Sequence, residues 1–136
     1  MRIIEILKVD GKGRVTIPRT VRDAMNIIEG GFVIMIADLN KNEIVLTPTG
    51  GSGGNLMEVR VLFRDERGKL AEISEALANL NVDQITTNCR TTRKGEMAEC
   101  IIIVEVPEGM DEGRLEEELS KIEGVKEVIV SPIQGH

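Results

Sequence analysis

The sequence is poor in aromatic residues: Phe32 and Phe63 are the only two among 136, and there is no Trp or Tyr. Proteins that hold single-stranded nucleic acid usually stack its bases on aromatic side chains, so this composition argues against that kind of binding. The sole histidine is His136, and the two cysteines form no Cys-x-x-Cys pair. We therefore predict no metal site.

Long hydrophobic runs are also missing. No segment approaches the roughly 20 consecutive apolar residues that a membrane-spanning helix needs. The first residues, MRIIE, lack the uninterrupted apolar core of a signal peptide. We therefore expect a soluble cytoplasmic protein with no membrane partner. Neither half combines a nucleophile, a base and an orienting group, so we also expect that the chain is not an enzyme and uses no cofactor.

Charge is divided unevenly along the chain. Residues 1–48 contain seven Lys and Arg against six Asp and Glu, whereas residues 49–136 contain ten against seventeen. Residues 1–22 alone contain six basic and two acidic residues. An acidic protein can still bind a polyanion through such a local basic patch, although the same charges could instead only solvate an outer face.

A glycine-rich segment, TGGSGGN at residues 49–55, marks a boundary. Helices and strands seldom tolerate so many glycines, because each loses much backbone entropy when it is ordered. A phosphate-binding loop is the alternative, but neither a Gly-Lys-Ser/Thr ending nor the third glycine of a dinucleotide motif follows. We therefore predict a first domain over residues 1–48, a flexible linker over 49–55 and a second domain over 56–136.

The first domain has the pattern of two hairpins around one short helix. Strands are predicted at residues 3–9 and 14–17, Pro18 suits the first position of a helix reaching about Met25, and two more strands follow at residues 32–37 and 43–47. A unit of 48 residues without cysteine or histidine buries too little apolar surface to fold alone. A second copy of the chain is therefore the expected partner.

Residues 9–22, VDGKGRVTIPRTVR, combine a glycine turn, a strand and a helix that begins at a proline. The segment resembles the signature of the AbrB, SpoVT and MazE family of swapped-hairpin transcription regulators, and the resemblance extends over roughly residues 1–48. The matching positions are Asp10, Gly13, Arg14, Ile17, Pro18, Val21 and Arg22. The resemblance implies a β-barrel of interleaved hairpins from two protomers, which binds double-stranded DNA.

The same resemblance places DNA contacts on Arg14 and Arg22, and proximity in the chain adds three further cations. The predicted DNA-binding residues are Arg14, Arg22, Arg19, Lys12 and Lys8. An arginine on a guanine edge discriminates between bases by about 1–3 kcal/mol, whereas a lysine on a phosphate adds affinity without sequence information. Two alternatives stay open: Arg19 could pair with Asp23 four residues later, and Lys8 could be a solvated strand end.

The second domain reads as strand, helix, strand, strand, helix, strand, with a turn at Lys94-Gly95. This order builds an antiparallel sheet with both helices on one face, which is the ferredoxin-like arrangement. Its opening, FRDERGKLAEI at residues 63–73, resembles the start of an ACT domain, a small ligand-sensing module, over about residues 56–132. The predicted fold class is thus α+β: a dimeric swapped-hairpin β-barrel followed by a ferredoxin-like βαββαβ ACT domain.

The ACT resemblance implies an effector site in the turn after the first strand of this domain. The predicted effector-binding residues are Asp65, Gly68, Lys69 and Leu70. The effector would be a small metabolite such as an amino acid, whose carboxylate the amides at a helix N-terminus could hold. The alternative is that Gly68 only makes a turn and that the module only pairs chains.

Two cysteines lie five residues on either side of the Lys94-Gly95 turn, which would place Cys89 and Cys100 opposite one another on adjacent strands. A disulfide is geometrically conceivable, but we expect reduced, buried cysteines in a cytoplasmic protein.

The expected function is a homodimeric or higher-order transcription regulator, whose first domain binds operator DNA and whose second domain assembles chains and senses a small metabolite. Two alternatives remain. One is an antitoxin that neutralises a toxin and regulates its own operon, and the other is an ACT regulatory subunit of a biosynthetic enzyme.

Overall fold

The computed structural model describes residues 1–49, 55–93 and 96–133. It divides into two compact units, Met1–Ser52 and Gly53–His136. Residues 50–54 of the predicted linker and the predicted turn at Lys94-Gly95 lie outside the described residues. In the ranges that are described, no helix is long and apolar enough to cross a membrane.

Unit 1 contains one short helix and one hairpin. Helix α1 spans Arg19–Ala24, and strands β1 (Val33–Asp38) and β2 (Glu43–Pro48) pair antiparallel. The carboxylate of Asp38 shapes the turn between the strands, since its Oδ1 accepts two backbone N–H bonds of 3.0 Å from turn residues. The second predicted hairpin is therefore confirmed: β1 begins and ends one residue later than predicted, and β2 begins as predicted and ends one residue later.

The two strands predicted ahead of α1 are wrong for a single protomer. Among residues 1–49, no strand precedes Val33, and no backbone hydrogen bond holds residues 3–9. A strand needs a hydrogen-bonded neighbour, and one protomer provides none for this segment. Pro18 also differs from its prediction: it lies just before the first helical residue, and its carbonyl accepts the N–H groups of Val21 and Arg22 at 3.0 Å.

Unit 1 leaves nearly all of its large apolar side chains in solvent. Of the nineteen exposed large hydrophobic residues in the described ranges, seventeen belong to residues 1–48, whereas Ile34 is the sole buried one there. Monomeric proteins rarely expose apolar surface on this scale, and such a surface usually marks a contact with another molecule.

Unit 2 is a four-stranded antiparallel sheet with two helices. Its elements are β3 (Leu56–Arg64), α2 (Lys69–Asn79), β4 (Asp83–Arg93), β5 (Met97–Glu105), α3 (Glu112–Ser120) and β6 (Val125–Pro132). The strands lie in the order β4-β5-β3-β6, so β4 and β6 form the edges of the sheet. The predicted α+β, ferredoxin-like βαββαβ arrangement is confirmed for this unit.

Alternation along the strands builds the core of unit 2. Every second residue of β3 from Met57 to Phe63 is buried, and the helices contribute side chains that are fully buried: Ile73, Leu77, Leu115 and Leu119. Asp111 caps the start of α3, since its Oδ1 accepts the N–H of Arg114 at 2.8 Å. In the packed unit, the start of α2 and the edge strand β4 line one cavity.

Candidate functional site

The turn at residues 10–14 is organised by the carboxylate of Asp10. Its Oδ1 accepts hydrogen bonds from the backbone N–H groups of Lys12 at 2.8 Å and Arg14 at 3.0 Å. Its Oδ2 accepts a 2.7 Å bond from Nε of Arg14. Gly13 has a φ of +78°, a left-handed conformation that residues with a Cβ rarely adopt. Asp10 and Gly13 together therefore set the shape of the turn.

These contacts leave the outer end of Arg14 open. Nε of Arg14 donates its hydrogen bond to Asp10, and the two terminal nitrogens of Arg14 make no hydrogen bond within the described residues. The Arg14 side chain is 70% exposed. A guanidinium that is held at Nε and open at its ends can make two parallel hydrogen bonds to a planar acceptor such as a base edge or a phosphate.

The same contacts stabilise the charged form of Asp10. The backbone N–H of Arg14, then the Arg14 guanidinium, then the backbone N–H of Lys12 hold the pKa of the Asp10 carboxyl below its ordinary value of 3.8. Desolvation acts in the opposite direction and is the smallest of these effects. Asp10 is therefore ionised near neutral pH, and it keeps Arg14 in place there.

The other predicted DNA-binding residues lie before this turn, within it and on α1. Arg19 forms the ion pair that the sequence left open, with its Nε 3.7 Å from Oδ2 of Asp23. Both side chains are largely exposed, so solvent screens this pair strongly. Lys8, Lys12 and Arg22 have no acidic partner within the described residues. Three positive charges in this region are thus not neutralised by unit 1 itself.

Unit 2 contains a cavity of about 380 Å³ beside the start of α2, lined partly by edge strand β4. Three of the four predicted effector-binding residues, Asp65, Gly68 and Leu70, line this cavity. Lys69 does not line it. The Lys69 side chain is 9% exposed, and its Nζ lies 3.4 Å from Oε2 of Glu72.

The first turn of α2 brings backbone N–H donors to the cavity, which the acidic residues Asp65 and Glu66 line as well. Gly68 is the residue before the first helical residue and has a φ of +86°. Because glycine has no side chain, it donates and accepts no side-chain hydrogen bond at the helix start. The backbone N–H groups of Leu70 and Ala71 form no hydrogen bond within the described residues, and both residues line the cavity. Open amides at the start of an 11-residue helix attract an anion, so this wall suits a carboxylate.

Cys89 of β4 and Cys100 of β5 also line the cavity. They are register partners, as their spacing predicted, with Cα atoms 4.0 Å apart. Their sulfur atoms are bonded, so the expectation of reduced cysteines is wrong for this structure. Direct opposition on one face of adjacent antiparallel strands brings the sulfur atoms within bonding reach. Cys89 is exposed, whereas Cys100 is fully buried.

Sequence reasoning missed two features of these sites. It named Asp10 without assigning it the carboxylate contacts that hold Arg14. It also placed the cysteine pair and the effector turn in separate arguments, although both line one cavity. The alternation of side chains along β4 predicts that Cys89 and Thr91 lie on one face of the sheet. Because the pairing register shifts on each side of these two residues, alternation alone does not predict which helix covers that face.

Comparisons with known proteins agree with the division of the chain. The family model described as antidote-toxin recognition MazE, bacterial antitoxin, matches residues 6–53. The family model of the ACT domain matches residues 55–129. A comparison with curated proteins found no match.

Several solved structures are similar in fold. An unknown protein from Galdieria sulphuraria is 17% identical with a TM-score of 0.50, covering 60% of this chain and 46% of that protein. The ACT domain of a GTP pyrophosphokinase from Chlorobium tepidum is 19% identical with a TM-score of 0.48, covering 57% of this chain and 97% of that domain. An uncharacterised protein from Thermotoga maritima is 20% identical with a TM-score of 0.47, covering 59% of this chain and 98% of that protein.

Proposed function

Since the chain belongs to the ACT-domain family and carries a MazE-type antitoxin domain ahead of its ACT domain, we propose that it is a transcription regulator. It binds double-stranded DNA in the cytoplasm as a homodimer or a higher homo-oligomer. Unit 1 contacts the operator, and unit 2 joins chains and senses a small metabolite such as an amino acid. The proposal gives the protein no catalytic role.

The observation that carries this proposal is the Arg14 guanidinium, which Asp10 holds at Nε while its terminal nitrogens stay open. Binding a base edge through a free arginine costs side-chain entropy, and an arginine that is already held loses less of it. The two terminal nitrogens match the two acceptors on the major-groove edge of guanine. Arg14 is therefore proposed to read bases.

A second copy of the chain supplies what unit 1 lacks. Residues 3–9 offer unpaired backbone groups and exposed apolar side chains, and the same segment of a partner offers both in return. Interleaving two copies as a swapped-hairpin barrel pairs the backbone and buries the side chains. A two-fold axis then repeats the Arg14 turn, which suits a near-palindromic operator.

The remaining cations supply affinity for the DNA backbone. Lys8, Lys12 and Arg22 keep uncompensated charges, and the weak pair between Arg19 and Asp23 can open towards a phosphate. Phosphate contacts position a protein on DNA without reading its sequence. A duplex is the favoured target, because Phe32 and Phe63 are too few to stack the bases of a single strand.

In unit 2, the cavity at the start of α2 is the proposed effector site. Asp65, Gly68 and Leu70 line it, and the open amides of Leu70 and Ala71 suit the carboxylate of an amino acid. Lys69 lies outside the cavity lining, where its Nζ pairs with Glu72. An effector shifts the protein between arrangements only if it binds one of them more tightly than the other.

An antitoxin is the second candidate, because the family model that matches residues 6–53 describes bacterial antitoxins that recognise a toxin. An antitoxin of this kind would bind its toxin through a segment beyond the barrel, and in this chain a folded ACT unit follows. A toxin that co-purifies in stoichiometric amount would favour this candidate over the sensor.

The test is a titration of duplex DNA with the full chain. Duplexes are first selected from a random pool by the wild-type protein. The Arg14→Ala variant is expected to lose about 1–3 kcal/mol for each of two copies, so its affinity for the selected duplex falls by about 30-fold to 10⁴-fold. Affinity for random duplex falls far less, because the phosphate contacts remain.

The matched control is Arg67→Ala, which removes an exposed arginine from unit 2. This variant should bind the selected duplex as the wild type does. If Arg14→Ala and Arg67→Ala behave alike, Arg14 does not read bases. If wild-type protein selects no duplex and its binding does not weaken as salt rises, the regulator proposal is wrong.

A further inference from the structure

The cavity beside α2 is lined by a disulfide bond, which can react chemically. The disulfide between Cys89 and Cys100 lies in its wall, next to Phe63, Ala98 and the first turn of α2. A disulfide that is reachable from solvent is an electrophile towards thiolates. The wall of this cavity can therefore form a covalent bond with a small molecule of one chemical class.

We propose that this cavity is a thiol–disulfide exchange site, at which a low-molecular-weight thiol becomes covalently bound to Cys89. The inference rests on the proposed function in one respect, because a DNA-binding protein works beside DNA in a compartment whose thiol pool is abundant and reducing. The ligand is a small thiol, and one that carries a carboxylate also suits the open amides of α2.

The two sulfur atoms differ in access, and this difference decides which one is attacked. Cys89 lies on β4, an edge strand, and is exposed, whereas Cys100 lies on the inner strand β5 and is fully buried. Exchange requires the thiolate to approach along the axis of the S–S bond. Cys89 is exposed on an edge strand, whereas the far side of Cys100 is covered by the interior of the sheet, so an incoming thiolate meets the Cys89 sulfur first.

The exchange balances without any further reagent. A thiolate attacks Sγ of Cys89, the Cys89–Cys100 bond breaks, and its electron pair leaves on Sγ of Cys100, which takes a proton from solvent. The products are a mixed disulfide on Cys89 and a thiol on Cys100. In the reverse step, the Cys100 thiolate attacks Cys89, closes the original bond and releases the small thiol.

Three charged residues, Asp65, Glu66 and Arg90, line the cavity beside the disulfide. Arg90 follows Cys89, but its side chain bonds Oε1 of Glu99 at 3.2 Å, and these two residues are register partners one step along from the cysteines. Arg90 itself lines the cavity, and its guanidinium is already paired with this carboxylate. An incoming thiol thus meets Thr91, the carboxylates of Asp65 and Glu66, the paired Arg90 and the start of α2.

The experiment uses the full chain with L-cysteine as the probe. Oxidised wild-type protein is mixed with excess L-cysteine, quenched with acid at intervals, and mapped by peptide mass spectrometry. We expect one cysteine adduct, on Cys89, while Cys100 appears as a free thiol. Adducts on both cysteines at equal rates, or no adduct at any time, would overturn the proposal.

Two pairs of variants test the position of the reaction. Reduced Cys100→Ser and Cys89→Ser chains each keep one thiol, and with L-cystine the first should react about 100-fold faster than the second. Ala71→Phe enlarges a residue that lines the cavity and should slow wild-type exchange at least about tenfold by blocking access. Ala78→Phe, an exposed site on the same helix that does not line the cavity, should leave the rate unchanged.

The outcomes separate this inference from the proposed function. The same samples are titrated with the selected duplex. If Ala71→Phe exchanges as fast as Ala78→Phe while duplex binding is intact, the exchange site is wrong and the regulator proposal stands. If exchange occurs at Cys89 but no duplex binds, the regulator proposal fails and the exchange site remains.

Discussion

The exposed start of unit 1 gives the most demanding prediction. Ile6 is 100% exposed in the single protomer, and no backbone bond holds the segment of residues 3–9 around it. If one protomer were the complete fold, replacing Ile6 by Asp would change stability by less than about 0.5 kcal/mol, because surface substitutions away from special features rarely do more.

A second copy reverses this expectation. Burying an isoleucine side chain contributes about 1.5–3 kcal/mol, and a dimer buries two copies of Ile6, so Ile6→Asp should cost the dimer at least about 3–6 kcal/mol. At about 1.4 kcal/mol for each factor of ten, the dimer's dissociation constant rises by about 10² to 10⁴. The proposed two-chain barrel should come apart at concentrations where the wild-type dimer is intact.

Amide hydrogen exchange of the full chain is the suitable assay, because unit 2 could keep chains associated after the barrel has opened. In wild-type protein the amides of residues 3–9 should be protected, and in Ile6→Asp they should exchange about 10² to 10⁴ times faster. Leu39→Asp is the matched control, since Leu39 is 91% exposed and lies in the turn after β1. Rapid wild-type exchange at residues 3–9, or equal effects of the two variants, would refute the reasoning.

Two further predictions concern the core and the Arg14 turn. Leu119→Ala should destabilise unit 2 by about 2–5 kcal/mol, because the side chain is fully buried, and so lower its melting temperature by at least about 8 °C. Ile129→Ala, on an exposed position of the sheet, should cost far less. In a carboxyl titration by NMR, Asp10 should have a pKa below 3.8, and Arg14→Ala should raise that pKa towards 3.8 without reaching it, because the N–H groups of residues 12 and 14 remain.

Each of these has a clear contradicting result. Equal melting temperatures of Leu119→Ala and Ile129→Ala would refute the assigned core. For Asp10 the folded pKa is depressed, so the order that it gives the turn is fully present above the ordinary value of 3.8 and is lost as pH falls through the lowered pKa. An Asp10 pKa at or above 3.8, or one that Arg14→Ala leaves unchanged, would show that the contacts to Arg14 do not act as described.

The fold of unit 2 was predictable because its signals are local. The alternation along β3 and the helical spacing of Ile73 and Leu77 each depend on neighbours within a few residues, and the chain order then leaves few topologies. The prediction of two strands before α1 is wrong for a single protomer for the opposite reason. Their pattern is strand-like, but their pairing depends on a neighbour that one chain does not provide.

The candidate sites were predictable to a similar degree. Sequence reasoning found the turn with Arg14 and the turn with Gly68, because glycine and charge mark turns. It did not find that Asp10 holds Arg14 through Nε, or that the disulfide lies in the cavity at α2. Both are contacts between side chains whose distance depends on the finished backbone, and no spacing rule encodes them.

The bare apolar surface of unit 1 also bears on how much active protein a cell would hold. If the proposed dimer forms, a newly synthesised chain exposes this surface until it pairs, and exposed apolar surface is what chaperones and proteases recognise. The encounter rate of two chains grows with the square of their concentration, so under the proposed function a small change in expression would change operator occupancy more than in proportion at low levels. The lifetime of the unpaired chain would then help to set the level of regulation.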